Sequence, residues 1–179
     1  MEQTEKLDFL IQSLVKLSRM ESGIIAVHSE DTTIKQMLES IQQQFNVKVR
    51  EKNITLSLCD TDLHVRCDSK WTVEALGNIV DNAIKYTACG GNVQIKVEQY
   101  SFFVKIDIID DGIGIEKEEI PKIFGRFYRS LSVADQTGVG IGLFLAREII
   151  QAQKGYIKVT SKRGKGSTFS VFLPIAKKE

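Results

Sequence analysis

Residues 93–115, VQIKVEQYSFFVKIDIIDDGIGI, decide the fold class. Val93–Glu98 and Phe103–Ile109 read as two strands that form a hairpin through Tyr100-Ser101. The second strand, Val104-Lys-Ile-Asp-Ile-Ile109, is apolar and is closed by Asp110. Asp111-Gly112-Ile113-Gly114-Ile115 then leaves it as an aspartate–glycine turn. Upstream, Gly90-Gly91 is a turn that follows a helix capped by Asp68 and running to about Thr87. Ile54–Leu58 alternates as a strand, and Val65–Cys67 is a further short one. Asp31 is the expected N-cap of a helix through Phe45, with Ile34, Met37, Leu38, Ile41 and Phe45 on its buried side. Ile24–Val27 reads as a short strand.

Residues 4–21 form one predicted helix with a narrow stripe of Leu7, Leu10, Ile11, Leu14, Leu17 and Met20. That stripe suits packing on another helix, from a second chain or from the same domain, and Ser22-Gly23 ends it. Downstream of the opening stretch, residues 117–124 are expected to be a short helix and residues 130–139 a mobile loop. A helix follows from about Ile141 to Gln153, ending at Gly155. Tyr156–Thr160 and Ser167–Leu173 close the chain as a hairpin around Gly164-Lys165-Gly166. Helices and strands are interspersed, and hairpins outnumber crossovers. The pattern predicts an α+β fold, a two-layer sandwich with helices on one face of a mixed sheet.

The 179 residues suffice for one domain with a sizeable core and a short appendage. Lys and Arg number 24 against 23 Asp and Glu, a net charge of +1, so nothing advertises nucleic acid or an anionic membrane. No apolar run approaches the roughly 18 residues of a membrane span. Cys59, Cys67 and Cys89 are odd in number and lack C-x-x-C spacing, which points to reduced thiols in a cytosolic setting.

Four segments carry chemistry. Asn78 and Asn82 share one helix face, and Lys85 and Tyr86 follow within a turn. Two amide oxygens are hard ligands of the kind Mg²⁺ accepts when phosphate and water complete its shell, while Lys85 and Tyr86 can touch phosphate or ribose. A solvated helix face is the bland alternative. Asp110, at a strand end, can accept a hydrogen bond from a base amino group, with Gly112 and Gly114 letting the backbone approach a flat ring. Gly138-Val-Gly140-Ile-Gly142-Leu143 opens the next helix and aims free N–H groups at an anion. It lacks the G-x-x-x-x-G-K-[ST] pattern, and no strand leads straight into it. Phe124-Gly-Arg-Phe127-Tyr-Arg129 precedes this loop, and Arg129 could reach a terminal phosphate.

In this order the four segments resemble the N, G1, F and G2 boxes of the catalytic ATP-binding domain of sensor histidine kinases. That domain is grouped in the GHKL superfamily with gyrase, MutL and heat-shock chaperone ATPases. The resemblance covers roughly residues 24–175, and Gly164–Phe169 with Leu173-Pro174 is similar to the family's closing hairpin. It implies that Asn82 coordinates Mg²⁺ with support from Asn78, that Lys85 and Tyr86 contact ATP, and that Asp110 reads adenine. Gly112, Gly114 and Ile115 would shape the base pocket. Gly138, Gly140, Gly142 and Leu143 would flank the phosphates, Phe127 and Arg129 would belong to the lid, and Thr168 would complete the nucleotide contacts. Asn78, Lys85 and Arg129 are the expected catalytic group. Residues 1–22 resemble the end of the second dimerisation helix, leaving 23–179 as the catalytic domain.

Relatives that hydrolyse ATP carry a glutamate where this chain has Asn78, and an amide cannot act as a general base. Glu74 lies a turn too early. The pocket is therefore expected to hold ATP for another nucleophile. The family's acceptor histidine has no match, since His28 and His64 sit on no long helix ahead of the stub. The resemblance implies a partner dimerisation domain bearing that histidine, a downstream response regulator, and a cytoplasmic placement within a membrane-anchored homodimeric parent. Two other readings stay open: a nucleotide-sensing interaction module that transfers nothing, and a gyrase-like ATPase clamp.

Overall fold

The computed structural model describes residues 27–130 and 138–176, together with Ile11, Val15 and Ser18. In chain order the described elements are β1 (Glu30–Thr33), α1 (Ile34–Glu51), β2 (Thr55–Leu58), β3 (His64–Cys67), α2 (Ser69–Tyr86), β4 (Asn92–Gln99), β5 (Phe103–Asp110), α3 (Gly142–Ala152), β6 (Tyr156–Ser161) and β7 (Ser167–Pro174). Five strands form one sheet in the order β2-β4-β5-β7-β6. β2 pairs parallel to β4, and the remaining ladders are antiparallel, so the sheet is mixed as the hairpin-rich sequence predicts. β1 and β3 make a separate antiparallel pair.

Period-two alternation decides which face the helices cover. Val104, Ile106 and Ile108 of β5 and Phe169, Val171 and Leu173 of β7 are buried, joined by Val93 and Ile95 of β4. The three helices lie on this face: α1 brings Ile34, Met37, Leu38, Ile41 and Phe45, α2 brings Leu76, Ile79, Val80 and Ile84, and α3 brings Leu145, Ile149 and Ile150. Each buried aliphatic side chain contributes about 1.5–3 kcal/mol of transfer free energy, which makes this layer the main source of stability. The outer face keeps polar residues and one aromatic cluster, in which Tyr156 stacks on Phe172 at 4.4 Å and meets Phe103 edge-on at 5.4 Å. The architecture is the α+β sandwich expected from the sequence.

Asp68 caps α2 as its position predicts, accepting a hydrogen bond from the Trp71 N–H at 3.2 Å. Two expectations are corrected. Asp31 is not an N-cap: it lies in β1 opposite Arg66, its carboxylate engages His64 Nδ1, and Thr33 is the N-cap of a helix that continues to Glu51. Of the strand expected at Ile24–Val27, Ile24–Ala26 lie outside the described residues; Glu30–Thr33 is a strand in addition, with β3 as its ladder partner. Residues 117–124 form successive turns rather than a helix. Glu119 N–H bonds Glu116 O, Lys122 N–H bonds Glu119 O and Gly125 N–H bonds Lys122 O. Pro121 has no N–H to extend an α-helical ladder. The predicted loop at 130–139 falls mostly on residues 131–137, outside the described ones. Of the helix at 4–21, Ile11, Val15 and Ser18 are described and are helical.

Candidate functional site

The four segments meet around one cavity of about 450 Å³, within the size range of small-ligand sites. Helix α2 forms one wall, the end of β5 and the strap after it the floor, and the residues leading into α3 the rim. Asn82 and Asp110 share this cavity.

The α2 wall follows from helical periodicity. Ala75, Leu76, Ile79, Val80 and Ala83 face the core, so Asn78, Asn82 and Lys85 are turned toward the cavity. The Asn78 amide N–H bonds Glu74 O at 3.1 Å, one turn back. Its oxygen lies beside Gly142, where an added Cβ would come within 3.1 Å. Lys85 Nζ sits 4.9 Å from the centre of the Tyr86 ring. Burial, and then the nearby Arg129 guanidinium, push the Lys85 pKa below the usual lysine value. Burial pushes the Tyr86 phenol up. The wall therefore holds a cation that gains from an arriving anion.

Asp110 is 7 % exposed, and burial raises its pKa against the opposing pull of two backbone N–H donors. Both donors, Gly112 at 2.9 Å and Ser167 at 3.3 Å, bond the same oxygen, Oδ1. Oδ2 makes no hydrogen bond among the described residues, which leaves one acceptor at the cavity floor. Ile113, Ile115, Ile123 and Phe169 line the surroundings, a setting for a flat ring with an amino edge. The backbone approach is close. Gly114 at φ +66° lies on Lys162 O and Gly166 at φ +82° lies on Asp110 O, with no room for a Cβ at either.

Helix α3 starts at Gly142 with Ile141 as its N-cap, whose side chain makes no capping hydrogen bond. The first-turn N–H groups have no intrahelical acceptor, and residues 138–143 border the cavity. Gly138 lies against Lys85, where an added Cβ would be 2.9 Å from Nζ. Helix start and lysine therefore face the same space, a combination suited to phosphate.

The structure brings Asn78, Asn82, Lys85, Tyr86, Asp110, Gly114, Ile115, Arg129, Gly138, Gly140, Gly142 and Leu143 together around the cavity. Three expected residues stand apart. Gly112 lies behind the floor, where a Cβ would come within 2.5 Å of Tyr86 O, and acts through its bond to Asp110. Phe127 is 54 % exposed and does not border the cavity; at φ +60° its backbone instead lies beside Gly140. Thr168 pairs with Ile109 and Thr160 on the outer sheet face, so its neighbours Ser167 and Phe169 border the cavity instead. Sequence reasoning missed Lys48, Lys52, Asp81 and Tyr128. Lys48 pairs with Asp81, and the Tyr128 hydroxyl donates to Glu119. On amphipathic helices Lys48 and Asp81 look like any solvated charge, and only the packing of α1 on α2 sets them beside the site.

Comparison with known proteins agrees with this geometry. Residues 67–177 match the family of histidine kinase-, DNA gyrase B- and HSP90-like ATPases. The sensor histidine kinase WalK of Bacillus subtilis is 34% identical over 177 residues, which is 96% of this chain and 29% of WalK. The sensor protein kinase PmrB of Pseudomonas aeruginosa is 30% identical over 171 residues, 95% of this chain and 36% of PmrB. The chain thus spans about a third of the length of these curated relatives. Among solved structures, the Acinetobacter baumannii histidine kinase AdeS superimposes with a TM-score of 0.79 at 26% identity, over 98% of this chain and 82% of that one. With the nucleotide-type cavity and the matched segments in place, the chain belongs to the histidine kinase-, gyrase B- and HSP90-like ATPase family, as an ATP-binding catalytic domain of the sensor histidine kinase type.

Proposed function

We propose that this cavity binds Mg-ATP and presents the γ-phosphate to a histidine outside this chain. The observation that carries the reading is the convergence of Asp110 and Asn82 on one cavity rimmed by the start of α3, where Ile141 offers no capping side chain. Asp110 Oδ2 accepts from the adenine amino group while the two backbone N–H groups hold Oδ1. Lys85 and the α3 N–H groups face the phosphates, and Arg129 offsets charge at the terminal one. The donor set fits Mg²⁺ bound with nucleotide. Among the described residues no cluster of three His, Cys, Asp or Glu could hold a metal unaided, and the amide oxygens of Asn82 and Asn78 suit a hard ion completed by phosphate and water. Bound there, the ion would neutralise phosphate charge.

In the transfer, an imidazole nitrogen forms a bond to Pγ as the Pγ–O bond to the bridging oxygen breaks. ADP leaves with that electron pair and the imidazole proton passes to solvent. This chain positions and neutralises, and does no acid–base chemistry of its own. Asn78 supports the kinase reading over steady hydrolysis, since an amide occupies the place that would need a base. The dimerisation domain with its histidine, the response regulator downstream, and the cytoplasmic placement in a membrane-anchored homodimer belong to the same proposal. So does the reading of residues 1–22 as the end of the second dimerisation helix.

Radiolabelled ATP with a separate histidine-bearing helical hairpin tests it. Label on the histidine supports the kinase. Tight ATP binding with no label supports a nucleotide-sensing module, and steady ATP turnover by the chain alone supports an ATPase clamp.

A further inference from the structure

Lys52, at the C-terminal cap of α1, reaches across to α2. Its ammonium donates to Ile84 O at 2.9 Å, Lys85 O at 2.7 Å and Thr87 O at 2.8 Å. An ammonium has three donors, and these three acceptors use them all. The carbonyls belong to the end of α2, where a helix leaves its last C=O groups without intrahelical partners. Many helices satisfy them by a left-handed glycine just past the end. Here Thr87 is extended, at φ −80° and ψ 139°, and that route is closed. A half-buried cation from the neighbouring helix takes its place, where the helix dipole favours it.

The turn held in this way is the one that presents Lys85 and Tyr86 to the cavity. It also holds the base floor. Tyr86 O accepts the Ile113 N–H at 3.2 Å, and Gly112 lies directly against the same oxygen. Through its own carbonyl, Lys52 accepts the Gly90 N–H at 3.1 Å, so the exit from α2 is fixed as well. One side chain thus ties the phosphate wall to the strap beside Asp110. We propose that Lys52 is a positioning residue for the nucleotide site, setting the last turn of α2 so that Lys85, Tyr86 and Ile113 are in place before ligand arrives. This rests on the reading of the cavity as an ATP site.

The test compares the intact chain with Lys52→Met, Lys52→Arg and, as a control, Gln153→Leu. Gln153 is buried at the opposite end of α2, bonding the Asp68 N–H at 2.6 Å and the Thr72 hydroxyl at 3.2 Å, so its loss destabilises without touching the cavity. Mg-ATP affinity is measured by calorimetry well below each melting temperature, and amide exchange at Ile113 is followed without nucleotide. Lys52→Met should weaken ATP by roughly tenfold, as loss of a supporting group does at other sites, and speed exchange at Ile113. Lys52→Arg should restore most of the affinity, and Gln153→Leu should leave it within about twofold. Affinity of Lys52→Met equal to wild type, or an equal loss in Gln153→Leu, overturns the inference. If wild type itself fails to bind ATP, the nucleotide reading falls, and unchanged Ile113 protection in Lys52→Met then overturns the positioning role separately. Should Lys52→Met not fold, Lys52→Gln takes its place under the same criteria.

Discussion

Helices α2 and α3 run past each other in opposite directions, and their two ends are treated differently. At one end Gln153 is 3 % exposed and its side-chain groups are bonded: Oε1 to the Asp68 N–H and the Thr72 hydroxyl, Nε2 to Ile149 O. At the other end, among the described residues, the start of α3 has no N-cap hydrogen bond from Ile141, Asp110 keeps one oxygen unbonded, and Lys85 carries a depressed pKa. Both ends bury polar groups. The first satisfies them within the protein and contributes stability; the second leaves Asp110 Oδ2, among the described residues, open to a ligand. Between these two ends, the bonding of buried side chains such as Gln153 and Asp110 separates scaffold from site.

The largest expected effect removes the metal-facing amide. Asn82→Ala should abolish Mg-dependent ATP binding in a calorimetric titration while the fold persists; retention of wild-type affinity would remove Asn82 from the site. Next, Asp110→Asn should lower ATP affinity by roughly a hundredfold, because an amide can turn a donor toward the adenine amino group. Its melting temperature should not fall, since the amide oxygen can still accept from Gly112 and Ser167 and a desolvated charge is gone. A large drop in thermal stability would mean that Asp110 serves the scaffold end of the contrast.

Acidity probes the same contrast more gently. The folded pKa of Asp110 lies above its ordinary 3.8, so its ionised form costs stability above the folded pKa, and that cost is relieved as pH falls through it. ATP affinity should move the other way, falling by up to roughly tenfold per pH unit on acidification and starting above pH 3.8. Lys85, depressed below 10.5, should produce an alkaline loss of affinity that begins below that value and is removed in Lys85→Arg. An affinity flat across both limbs would uncouple these groups from the ligand. The smallest effect on binding belongs to Gln153→Leu. We expect a stability loss of about 1–3 kcal/mol by denaturant unfolding, with ATP affinity within about twofold of wild type.

The ladder from Val93 to Asp110 was legible because alternation and a strand-end carboxylate are local signals, and the stripe Asn78, Asn82, Lys85 because helical spacing fixes its face. Asp31 misled because an aspartate before an apolar run suits an N-cap as well as an edge strand, and only β3, more than thirty residues away, decides between them. Thr168, expected among the nucleotide contacts, lies one residue from the cavity-lining Ser167 and Phe169, which in a strand means the opposite face. Lys52 had no readable signal: a lysine at a helix end is ordinary, and its acceptors come from another helix.

Gly114 and Gly166 press two backbones together behind Asp110, with no space for a side chain between them. The β6–β7 hairpin lends Ser167 and Phe169 to the cavity border, and it is also the template against which the strap after β5 is cast. Transplanting this pocket into another scaffold would therefore require residues 110–115 and 162–167 to travel as a single unit, since either half alone loses the surface that shapes it.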